Sequence, residues 1–104
     1  MISGAVDFDY LESFTAGDRQ VIAEVLALYQ GQAAGWLTKL DDPGDGWRDL
    51  VHTIKGASRG IGAQALGDVA DRAERGDPSQ APEVRAALQA VLADIEAYVA
   101  RTGG

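Results

Sequence analysis

The chain of 104 residues has no cysteine, one histidine, one methionine and three prolines. Without cysteine there are no disulfides, no thiol nucleophile and no thiolate metal site. A zinc site built around a single histidine would need mostly carboxylate ligands, so no metal site is predicted. Cations are scarce: Lys plus Arg is 9 against 16 Asp plus Glu, a formal charge of −7. Beyond Lys55 and Arg59 there is no basic stripe, which disfavours binding to a polyanion. No apolar run approaches the roughly 20 residues of a membrane span, and no basic, apolar leader opens the chain; the cytoplasm is the expected location. Neither a glycine-rich nucleotide loop nor a Ser-His-Asp set can be assembled.

Apolar residues are abundant at 46% and recur with helical spacing. The length allows one domain, residues 1–104, with a single core. A short helix is predicted from Asp7 to Phe14, capped by Asp7, with Val6, Phe8, Leu11 and Phe14 apolar. Thr15-Ala16-Gly17-Asp18 reads as a capping box for a long helix reaching Leu40, with Ile22, Val25, Leu26, Tyr29, Ala33, Trp36 and Leu40 in its stripe. Asp41 to Gly46 is a turn, from which Asp45 is placed to cap the next helix, ending near Gly62. A further segment, Gln64 to Arg75, stops at Gly76-Asp77-Pro78. The last helix runs from about Pro82 to Arg101. No segment alternates with period two. The prediction is all-α, an antiparallel up-down-up-down four-helix bundle with a short N-terminal helix.

The single histidine lies in Val51-His52-Thr53-Ile54-Lys55-Gly56-Ala57-Ser58-Arg59-Gly60-Ile61-Gly62-Ala63. At about 100° per residue, Trp47, Leu50, Val51, Ile54, Ser58 and Ile61 form the inward stripe. His52, Lys55, Gly56, Arg59 and Ala63 fall on another side. An imidazole, with an ordinary pKa of about 6.5, is substantially neutral at pH 7 and offers a ring lone pair to phosphorus without a separate base. Lys55 at i+3 and Arg59 at i+7 bring positive charge to the same side. Gly56, one turn on, leaves the flank of the ring bare, at a helix cost of about 1 kcal/mol.

The run His52-Thr53-Ile54-Lys55-Gly56-Ala57-Ser58, followed by Gly62-Ala63 and the apolar Leu66, Val69, Ala70 and Ala73, resembles the histidine-containing phosphotransfer (HPt) domains of two-component phosphorelays. The resemblance covers Phe8 to Val99. It implies that His52 is phosphorylated, through Nε2, that Lys55 contacts the phosphoryl group and that Gly56 admits a receiver domain. It also implies a polar side chain from the preceding helix beside the histidine; Gln32 is the best match, with Gln30 competing. Arg59, a less regular feature of the family, is implied as a phosphate or partner contact. The first helix, through Phe8 and Leu11, is implied to dock the receiver; a plain lid over the core is the alternative.

The implied function is that of a stand-alone, monomeric phosphocarrier with no ATP site of its own. It would exchange its phosphoryl group with receiver domains of a hybrid sensor kinase and of a response regulator. No cofactor is expected on this chain, since the receiver supplies the aspartate and the Mg²⁺. The rival readings are a helical interaction module that regulates by binding alone, and a dimeric phosphotransferase resembling a degenerate histidine kinase.

Overall fold

The computed structural model describes residues 5–102. It contains five helices: α1 (Phe8–Phe14), α2 (Arg19–Asp41), α3 (Trp47–Gly60), α4 (Gln64–Glu74) and α5 (Ala81–Thr102). No strand occurs among the described residues. The four longer helices form the predicted bundle, and α1 closes one end of it.

The core is the sum of the stripes. Ile22, Leu26, Tyr29, Ala33, Trp36 and Leu40 come from α2, Leu50, Val51 and Ile54 from α3, Leu66, Ala70 and Ala73 from α4, and Val84, Leu88, Val91, Ile95 and Tyr98 from α5. Each fully buried Leu or Ile contributes about 2 kcal/mol relative to exposure. The polar atoms carried inward are paired. Tyr29 Oη and Ser58 Oγ share a buried hydrogen bond of 2.8 Å, and burial pushes the Tyr29 phenol up to about 12. The Trp47 indole donates to the Ala73 carbonyl at 2.9 Å, so both tryptophans serve packing.

The caps differ from the sequence expectation at two places. Thr15 ends α1, its hydroxyl donating back to the Leu11 carbonyl; Asp18 caps α2, accepting from the amides of Gln20 and Val21. Asp45 caps nothing: it sits inside a short 3₁₀ turn, Gly44–Gly46, and α3 begins without a side-chain cap.

α3 and α4 form a tight hairpin through Ile61-Gly62-Ala63. The helix stops at Gly60, two residues early, because the amides of Ile61 and Ala63 both turn back to the Ser58 carbonyl. Ala63 therefore leaves the outward face assigned to it and is fully buried. Gly62 has φ +88°, and a Cβ there would lie 2.7 Å from the Asp7 carbonyl oxygen. The Asp7 amide in turn donates to the Gly62 carbonyl at 2.9 Å, so this turn is where α1 is fastened. Since a left-handed non-glycine residue costs about 1–2 kcal/mol before any clash, Gly62→Ala is expected to lower stability by about 2–3 kcal/mol in urea unfolding. A midpoint equal to wild type would contradict this account of the turn.

α1 lies against α5. Phe8 stacks on Tyr98 with centroids 4.1 Å apart, the Tyr98 hydroxyl donates to Glu12 at 2.8 Å, and the Val6 amide donates to Asp94 at 3.1 Å.

Candidate functional site

His52 stands on the outer face of α3 with 67% of its side chain exposed. The stripe beneath it explains why: Val51 and Ile54 are fully buried, and a residue between them in sequence must turn away from the core. One turn along, a Cβ built on Gly56 meets no atom within 4 Å, and the same holds for Gly60. The ring thus borders a strip of open backbone.

The polar partner of the ring comes from α4. His52 Nδ1 lies 3.0 Å from Glu74 Oε2, while Glu74 Oε1 lies 2.6 Å from Lys55 Nζ, an ion pair and the only polar contact of that oxygen. Lys55 also reaches Asp71 Oδ1 at 3.3 Å, and Arg75 closes the chain on Asp71 Oδ2 at 2.6 Å. Lys55, foremost, holds the Glu74 carboxyl below the usual range, against the opposing effect of burial; Arg75, foremost, does the same for Asp71; Glu74 raises the Lys55 ammonium. An ionised carboxylate only accepts hydrogen bonds. A ring that donates its Nδ1–H to this carboxylate keeps, in its neutral form, its lone pair on Nε2.

These couplings have a sign. Carboxyls depressed in the folded state stabilise it above their unfolded pKa, about 3.9 for Asp and 4.3 for Glu, and that stability is lost as pH falls through the lower folded values. A raised ammonium stabilises below its unfolded value of about 10.4 and is lost as pH climbs past the folded one. The urea midpoint is expected to be level near neutrality and to fall on both flanks, with Glu74→Gln shallowing the acid flank. An acid limb unchanged by that substitution would mean the cluster is energetically idle.

Several residues read from the sequence stand elsewhere than expected. Arg59 is bound to Asp68 at 3.2 Å and lies across Gly67, where a Cβ would come within 2.6 Å of its Cγ, so it is drawn toward α4 and away from the ring. Lys55 is not free: both its neighbours are carboxylates of this chain. Gln32 is exposed on α2, and neither it nor Gln30 hydrogen-bonds the histidine; Glu74 fills that role from the following helix. Leu11 is 1% exposed and belongs to the core, so it does not present the docking face assigned to it, while Phe8 is half-buried against Tyr98. The apolar groups that do face out are Phe14 at 73%, stacked with Tyr10, and Leu28 at 66% with Val21 on α2.

Glu74 was missed, yet the sequence holds its signal. In a hairpin turning at 62–64, residues equidistant from the turn face each other, and the pairs Arg59 with Asp68, Lys55 with Asp71 and His52 with Glu74 obey that symmetry. Among the described residues no cluster of three or more His, Asp or Glu is arranged to hold a metal, and no helix is long and apolar enough to cross a membrane.

The Hpt domain family model matches residues 9–98. No curated protein matches the chain. Among solved structures, the chain is similar to the histidine phosphotransferase ShpA from Caulobacter crescentus, whose crystal structure is at 1.52 Å resolution. The two are 52% identical over 96% of this chain and 95% of that one, with a TM-score of 0.85.

Proposed function

The chain belongs to the Hpt domain family of two-component phosphotransfer proteins, and from that premise we propose that His52 is its phosphoacceptor. In this reading His52 receives a phosphoryl group from a receiver-domain aspartate of a hybrid sensor kinase. It then passes the group to the aspartate of a response regulator, or returns it. The lone pair of Nε2 forms the N–P bond while the P–O bond to the aspartate breaks, the electron pair leaving with the carboxylate. The receiver brings its aspartate and Mg²⁺; this chain brings nucleophile, charge and docking surface, as a carrier without an ATP site. Phosphoryl transfer is dominated by positioning and electrostatics, so the carrier needs little more.

The observation that supports this reading best is the exposed imidazole whose Nδ1 is engaged by Glu74. Lys55, one turn away, turns from Glu74 and Asp71 to the phosphoryl oxygens as they arrive. Gly56 and Gly60 make the floor on which the receiver rests. Phe14, Tyr10, Leu28 and Val21 are the exposed large apolar side chains available for contact with a partner, with Gln32 exposed on α2 and Arg59 turned to Asp68. A cytoplasmic monomer fits this role.

The test is to incubate the chain with a receiver carrying a radiolabelled aspartyl phosphate. Acid-labile, base-stable label on this chain is the expected result. Binding without any label would leave the interaction module in its place.

A further inference from the structure

We propose that the outer face of α2 is an interface for a second copy of this chain, the two helices packing antiparallel about a two-fold axis that passes between Gly31 and Gln32. The face is complementary to itself in both shape and charge, and that identifies its occupant. The chemistry assigned to His52, which is on α3 and outside the paired helices, plays no part in the argument.

A helix on the surface of a bundle ordinarily carries charge on the side away from the core. α2 departs from this. From Val25 to Thr38, about four turns, it holds no Asp, Glu, Lys or Arg, in a chain that is 24% charged. The inward stripe accounts for Leu26, Tyr29, Ala33 and Trp36. The side facing water is made of Ala27, Leu28, Gly31, Ala34 and Gly35, all exposed. Leu28 is 66% exposed and Val21, two turns before it, 39%, so large apolar side chains stand on a face that no element of this chain covers. Between them and the end of the helix the backbone is bare: a Cβ built on Gly31 or on Gly35 meets no atom within 4 Å. The outer face of α5 differs, since its exposed alanines are set among Glu83, Glu96 and Arg101.

The register of α2 says what fits there. At about 100° per residue, Val21, Glu24, Gly31, Gly35 and Lys39 all lie within about 60° of Leu28. In two antiparallel helices related by a two-fold axis, residues equidistant from the axis stand opposite one another. With the axis between Gly31 and Gln32, Leu28 of each copy meets Gly35 of the other, a projecting side chain against open backbone. Glu24 of each copy meets Lys39 of the other. Among the described residues neither Glu24 nor Lys39 pairs with a charge of its own chain. Displacing the axis by about half a turn sets Glu24 against Asp42 in one direction and against Gly35 in the other, and the charge match is lost. One register therefore satisfies shape and charge together, and the symmetry makes each match twice. A receiver would have to bring its own complement to this face; a second copy already has it.

One helix from each copy buries an area on the order of 1,000 Å², the lower end for specific association, which corresponds to a dissociation constant on the order of 10–100 µM. The chain is then a monomer when dilute and pairs as its concentration rises. Sedimentation equilibrium of the full chain at neutral pH, over concentrations from about tenfold below to about tenfold above that range, tests this. The mass is expected to climb from 10.9 kDa toward twice that value. Leu28→Glu removes the projecting side chain, and Gly35→Leu fills the gap that receives it; each is expected to raise the dissociation constant at least about tenfold. Leucine is also the better helix former, so Gly35→Leu should keep its urea midpoint at or above wild type, which separates lost pairing from lost folding. Glu24→Lys opposes like charges and should weaken pairing several-fold, while Glu24→Lys combined with Lys39→Glu should return it to within about twofold of wild type. A mass of 10.9 kDa at every concentration would overturn the inference, as would pairing that is indifferent to Gly35→Leu or that the charge exchange does not restore. A wild-type chain that stays monomeric throughout while Leu28→Glu slows labelling by a phosphorylated receiver would assign the face to the receiver instead.

Discussion

Substituting glutamine for His52 is expected to remove all receiver-derived label from the chain, a drop on the order of 10³-fold or more to the floor of the assay. The size follows from the inventory. The chain has no second histidine, so no other imidazole can take up the label. The substitution is also mild for the fold. Two thirds of the His52 side chain is in solvent, and a glutamine amide can still donate to Glu74. Far-UV circular dichroism and the urea midpoint are therefore expected to stay near wild type while transfer vanishes. Label persisting on His52→Gln at the wild-type level would remove the histidine from the chemistry, whatever the family of the fold.

The separation between stable scaffold and reactive face explains which parts were legible beforehand. Long helices announce themselves because each repeats its apolar residue many times. The stripe from Ile22 to Leu40 appears as read, and its buried members, together with those of α5, make much of the core. A short helix offers no such averaging. In α1, Phe8, Leu11 and Phe14 span about 120° of helix surface, and a seven-residue element cannot bury that whole arc. The middle residue, Leu11, goes fully inside, Phe8 is half covered by Tyr98, and Phe14 is left out. Three apolar letters of equal weight in the sequence thus take three different roles, decided by where α5 lies.

The site shows the same division. That His52 faces outward and that Gly56 leaves open backbone are local consequences of one helix, and both were readable from spacing. What surrounds the ring is tertiary. The resemblance implies a polar neighbour for the histidine on the preceding helix, at Gln32 or Gln30, whereas the hairpin at Gly62 brings α4 alongside and delivers Glu74. The two cations on the histidine's side of α3, Lys55 and Arg59, are each matched by an acid across that hairpin. A charge at a helical spacing states which face it is on, but its pairing waits on the neighbouring helix.

Gly56→Leu is expected to separate docking from stability in opposite directions. Glycine in a helix interior costs about 1 kcal/mol relative to good helix formers, and a Cβ at this position meets nothing within 4 Å, so leucine should hold the urea midpoint at or slightly above wild type. The same side chain would stand on the open strip one turn from His52, where the receiver must approach to within bonding distance of Nε2. A misplacement of about 1 Å in such a reaction costs about 10²-fold, and a leucine side chain displaces a rigid partner by more than that. Receiver-to-His52 transfer is therefore expected to fall by at least about 10²-fold, measured as the initial rate of label appearance. Direct phosphorylation of the same variant by phosphoramidate, a donor small enough to pass the leucine, should remain within a few-fold of wild type. Slowing of both donors alike would place the defect in the imidazole and not in the approach of the partner. Wild-type transfer from the receiver would show that the partner does not cross this strip at all.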